Sequence, residues 1–114
     1  MENSISKVML WQRNNKRGII IAYKNYALVA SQIILEIKSC SNGEIDLGEL
    51  ISRMKVKLST MIAGDIPWFV LQVKQDLEVR GIIKTSLNYD RIQIIKLKKK
   101  YFDFKFIKSL EDRD

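Results

Sequence analysis

Histidine is absent from this chain, cysteine and proline each occur once, and the five glycines are scattered singly. Without histidine there is no imidazole base, no His-based metal ligand set and no Ser-His or Cys-His nucleophile. A structural zinc site has no ligands to draw on. The single thiol, Cys40, cannot form an internal disulfide and fits a reducing compartment. The glycines form no nucleotide-binding motif. Asp76 and Glu78, two apart, fall on different faces of a helix and make a poor acid/base pair. Long apolar runs are also missing. Residues 1–6 are polar, and the most apolar short run, residues 18–22, is far too short for a signal core or a membrane span. These absences set four expectations: no enzyme, no cofactor, no metal, and a cytoplasmic location.

What remains is an ordinary globular composition with a basic bias. The 114 residues, 46% hydrophobic and 29% charged, suit one compact domain. Twenty Lys and Arg against 13 Asp and Glu leave a formal charge of +7. That balance favours a polyanion such as nucleic acid, or an anionic membrane surface. A lysine-rich solvated surface is the competing explanation, because net charge says nothing about fold. No repeat, linker or low-complexity tract divides the chain.

Residues 65–98 carry the clearest local signals. Asp65 is placed to cap a helix, and Pro67 suits its first turn, where a missing N–H costs nothing. The spacing of Ile66, Val70, Val73 and Leu77 predicts a helix over about 66–80, stopped by Gly81. Two strands, 82–87 and 91–97, then flank the turn residues Asn88, Tyr89 and Asp90. Upstream, Tyr26, Ala27, Ala30, Ile33, Ile34 and Ile37 form an amphipathic stripe over about 23–39, ended by Ser41-Asn42-Gly43. Asp46 three residues before Glu49 starts another helix, with Leu47, Leu50, Ile51, Met54 and Leu58 on its buried stripe. Before residue 23 the pattern predicts a short helix around Ile5, Val8 and Met9, a basic patch at residues 12–17, and a short strand or extended entry at 19–21. In the tail, Phe102, Phe104 and Phe106 alternate like a half-buried strand, whereas Ile107 and Leu110 suit a closing helix.

The segment from Trp68 to Lys84 resembles the third helix and first wing strand of winged helix-turn-helix proteins. More narrowly, it is similar to a group of small, uncharacterised bacterial proteins. These share a Trp followed by Val-Lys-x-Asp-Leu-Glu-x-Arg-Gly-x-Ile, matched here from Val73 to Ile83, with a tyrosine-bearing helix upstream matched by Tyr26. The resemblance implies an α+β, mainly α fold: three helices plus a β-hairpin wing, with short extensions at residues 1–22 and 101–114 around a domain at 23–100. Ile45 falls where winged helices place a short strand that pairs with the hairpin. The superfamily implies DNA binding, with protein–protein roles as the alternative, and no catalytic residue carries over.

On this frame the third helix would lie in the major groove, with Gln72 and Gln75 as adenine readers. Arg91, Lys96, Lys98 and Lys99 are the candidate phosphate contacts. Two features oppose base reading. The outer face of that helix also carries Trp68, Leu71 and Val79, and its charges (Asp65, Asp76 and Glu78 against Lys74 and Arg80) sum to −1. An apolar outer face points to something packed on it, so Trp68, Leu71, Phe102 and Phe104 are candidate interface residues. Lys74 and Glu78 are an i,i+4 pair, read as helix support. Arg80 is read as a helix-end cap or a local pair. Two functions are expected on nearly equal terms. The first is a DNA-binding protein, in the manner of a transcription regulator, acting through lysine–phosphate contacts. The second is an interaction or homodimerisation module without DNA binding. Double-stranded DNA and a second copy are the expected partners, and no membrane or small-molecule ligand is inferred.

Overall fold

The computed structural model describes residues 7–11 and 17–98, with side chains from residue 20 onward. The order is β1 (Lys7–Trp11), β2 (Arg17–Ala22), α1 (Tyr23–Ser39), β3 (Glu44–Asp46), α2 (Leu47–Leu58), α3 (Ile66–Val79), β4 (Ile83–Leu87) and β5 (Gln93–Leu97). The architecture is α+β and mainly α: three helices against a three-stranded antiparallel sheet, with a separate two-stranded ladder at the N-terminus.

The caps act as their residue types predict. Asp65 Oδ1 accepts a hydrogen bond from Trp68 N at 3.1 Å, and Asp46 Oδ1 accepts from Glu49 N at 2.7 Å. The capping box at α2 is only half made, because the Glu49 carboxylate takes Arg53 Nε instead. Gly81 stands at φ +78 just past α3, in the left-handed region that a side chain resists.

The three helices converge on one core. Ile33, Ile37, Leu50, Met54, Val70, Val73 and Leu77 are fully or almost fully buried, and the sheet adds Ile45, Ile83, Ile95 and Leu97. Ile45 lies on β3 opposite Ile95, so the central strand β5 is paired on both sides. The sheet order is β3-β5-β4.

The N-terminus differs from expectation. Spacing around Ile5, Val8 and Met9 suggested a helix, but residues 7–11 are a strand. β1 pairs antiparallel with β2, with Val8 opposite Ile21 and a register shift between Met9 and Trp11. Cross-strand pairing with the β-branched run at 19–21 overrides a weak local pattern. The hairpin lies beside α1 and α3, and Ile21 joins the core. Expectations for residues 1–6, 12–16 and 99–114, including Ile5, Lys99, Phe102 and Phe104, lie outside the described residues.

Candidate nucleic-acid interface

The charged residues of the helices are mostly engaged with one another. Asp76 is 0% exposed, deep between α1 and α3. It accepts a hydrogen bond from the Tyr26 hydroxyl at 2.7 Å and pairs with Arg80 Nε at 2.7 Å. Burying a carboxylate without such partners would be costly. Burial pushes the Arg80 guanidinium pKa down, but the hydrogen bond to Asp76 together with the charges of Asp76 and Tyr26 outweighs this and raises it. Beside it on the helix, Lys74, 3% exposed, donates to Glu78 Oε2 at 3.1 Å, and the Thr85 hydroxyl donates to the same oxygen from β4. Each charged position of the Val-Lys-x-Asp-Leu-Glu-x-Arg stretch therefore sits in an ion pair.

A second cluster joins α1 to α2. Glu36, 2% exposed, falls between Ile33 and Ile37 on the inner stripe of α1. Gln32, Arg53 and Lys57 donate hydrogen bonds to its carboxylate. Burial raises its pKa, but the bonds from Lys57, Gln32 and Arg53, with the charge of Lys57, outweigh this and hold the group below the usual carboxylate range. Arg53 also pairs with Glu49 at 2.8 Å. Of the three basic residues of α2, Arg53 and Lys57 are thus occupied, while Lys55 has no ion-pair partner among the described residues.

The β4–β5 hairpin is arranged differently. Lys96 stands directly opposite Lys84 on β4 and opposite Glu44 on β3. The neighbouring positions Ile83, Ile95 and Leu97 are buried, so alternation sends Lys84, Lys96 and then Lys98 to the outer face. Lys84 and Lys98 are exposed and Lys96 half-buried. None of the three, nor Arg91, is in an ion pair with another described residue. Lys98 Nζ lies 3.9 Å from the point where a Cβ on Gly81 would stand, close to the carbonyl end of α3, which favours a cation.

The hairpin tip spans five residues rather than three. Asn88 organises it, its Oδ1 accepting from Asp90 N at 2.9 Å and Ile92 N at 3.0 Å. Arg91 adopts φ 62, the one positive φ at a described non-glycine residue. Leu87, Tyr89 and Ile92 point outward, and Tyr89 is fully exposed.

The candidate base readers on α3 are less open. Gln72 and Gln75 are half-buried, and β1 lies beside this helix. Trp68 and Leu71, both expected at an interface, are exposed at 39% and 37%. The Trp68 ring meets Phe69 edge-on, with centroids 5.2 Å apart. The sum of −1 on α3 also changes meaning, because Lys74 cancels Glu78, Arg80 cancels Asp76, and Asp65 is the cap.

A shallow groove of about 380 Å³ runs past the end of α1 and the start of α2, between Cys40 and Arg53. Glu44, Asp46 and Glu49 line it, which is the wrong sign for a polyanion. Among the described residues no group of three or more Cys, Asp or Glu could hold a metal ion, and no helix is long and apolar enough to cross a membrane.

A family model matches residues 7–91, from β1 to the hairpin tip. The chain belongs to a family of unknown function, DUF6958. Its matched region takes in both buried ion-pair clusters and β4, and stops before β5. Neither the curated proteins nor the solved structures provide a match.

Lys84 and Glu36 were not singled out from sequence, although each left a signal. Glu36 interrupts an apolar stripe at helical spacing, and Lys84 follows from counting back from the hairpin turn to the partner of Lys96.

Proposed function

We propose that this protein is a small winged-helix protein that binds double-stranded DNA through lysine–phosphate contacts with modest sequence preference. The observation that carries the reading is the location of uncompensated positive charge. Arg53, Lys57, Lys74 and Arg80 in the helical body are held by carboxylates of the same body, whereas Lys84, Arg91, Lys96 and Lys98 gather on the hairpin outside any ion pair among the described residues. The order α1-β3-α2-α3-β4-β5, with β3 paired to β5, supports the winged-helix assignment. Salt decides the DNA reading. Affinity for a mixed-sequence duplex should fall steeply between about 50 and 200 mM salt, as released counterions dictate. Absence of duplex binding at the low end would sink it.

A second reading rests on Trp68 and Leu71, neighbours one turn apart on α3 and both exposed. In it the helix face is a protein contact, joined by Phe102 and Phe104, and the chain is a homodimer. Sedimentation with and without duplex separates the two. A dimeric mass that Trp68→Ala reduces to monomer supports the contact, and a monomer at high concentration excludes the homodimer.

A further inference from the structure

The usual expectation for a helix-turn-helix frame is that the third helix reads the groove. Three observations point elsewhere. The charged side chains of α3 are turned inward in ion pairs, its two glutamines are half-buried, and β1 occupies ground beside it. On the hairpin, Lys84 and Lys96 stand directly opposite one another, with Glu44 beyond Lys96 on β3, so the like-charge pair has an acidic neighbour on the β3 side and an open β4 side. Lys98 extends the row on the same face. At the tip, Leu87 and Tyr89 are 61% and 105% exposed, with Ile92 and the cation Arg91 beside them.

A surface that is cationic along its strands and apolar at its tip fits a partner with two rows of negative charge flanking a less polar groove. Duplex DNA has that form, and apolar side chains are known to enter its grooves. Resting on the DNA-binding reading above, we propose that the β4–β5 hairpin, rather than α3, docks on the duplex. Lys84, Lys96 and Lys98 track phosphates, and Tyr89 at the tip enters the groove. The acidic groups on this surface set the orientation. Glu44 and Asp46 occupy the β3 end of the same face, and Asp90 sits at the tip. Phosphates therefore lie along the β4 side, away from β3.

The test uses the full chain, a fluorescein-labelled duplex of mixed sequence and a salt series read by anisotropy. Lys84→Gln with Lys96→Gln should weaken binding about tenfold and flatten the plot of log affinity against log salt by roughly two units, one for each lost phosphate contact. Tyr89→Ser should weaken binding severalfold and leave the salt slope unchanged, because no charge is removed. Gln72→Ala with Gln75→Ala should change neither quantity. All these positions are exposed or half-buried, and circular dichroism with a melting curve confirms that each variant folds. Loss of affinity in the glutamine variant, with the lysine variant unaffected, returns the contact to α3 and overturns the assignment. Equal binding by all variants overturns it as well, while leaving DNA binding in place. Binding to phosphatidylserine vesicles without binding to duplex removes both this assignment and the DNA reading.

Discussion

The charges on α3 and those on the β4–β5 hairpin lie a few residues apart in sequence but in different surroundings. On α3, Asp76 is buried against Tyr26 and Arg80, and Lys74 is buried against Glu78. On the hairpin, Lys84 and Lys96 face each other outside any ion pair among the described residues, with Glu44 opposite Lys96 on the β3 side. A buried charge must be matched where it sits, because the interior offers no water to replace a lost partner. An exposed charge carries no such obligation and remains available to a ligand. The comparison teaches that formal charge per element is a poor guide to function until the pairs are known. The negative sum on α3 argued against phosphate contact, yet nearly all of it belongs to internal architecture.

Stability measurements can break this comparison. Asp76→Ala should cost the most, about 3 kcal/mol in urea denaturation, since it removes the centre of a buried pair. It should leave duplex affinity unchanged at temperatures where the variant is folded. A near-neutral result would show that the α3 charges are not structural. Tyr26→Phe should cost about 1–2 kcal/mol, because Asp76 loses a hydrogen bond but keeps Arg80.

Glu36 sharpens the comparison through pH. Its folded pKa lies below the ordinary value of 4.5, so its contribution to stability is present above that value and is lost as pH falls through the folded pKa. Glu36→Gln should therefore lower the urea midpoint at neutral pH and flatten its decline below pH 4.5. An unchanged acid limb would show that another carboxylate governs it. The smallest effect belongs to the hairpin. Lys84→Gln with Lys96→Gln should alter stability by about 0.5 kcal/mol or less, with a slight gain expected from relieved repulsion. A large loss would mean that these lysines hold the fold together.

Much of the architecture was legible before any coordinates. Asp65, Pro67 and Gly81 bracket α3, Asp46 starts α2, and the isoleucines of α1 mark its inner face. Each signal acts over four residues or fewer, the range within which caps and periodicity operate. The N-terminal strand was not legible, because three apolar residues at helical spacing cannot compete with an antiparallel partner at residues 17–22. The candidate site was legible only in part. Lys96, Lys98 and Arg91 stood out as a basic cluster, but Lys84 depended on hairpin register, and the half-burial of Gln72 and Gln75 depended on the packing around α3.

The sequence by itself therefore determined the helices, their caps, the hairpin and an excess of positive charge. Tertiary structure alone decided where that excess is free. Tyr26 finds Asp76 across 50 positions, and Lys57 finds Glu36 across 21. Whether a charge is neutralised depends on what lies within a few ångströms in space, which spacing along the chain does not encode at such distances.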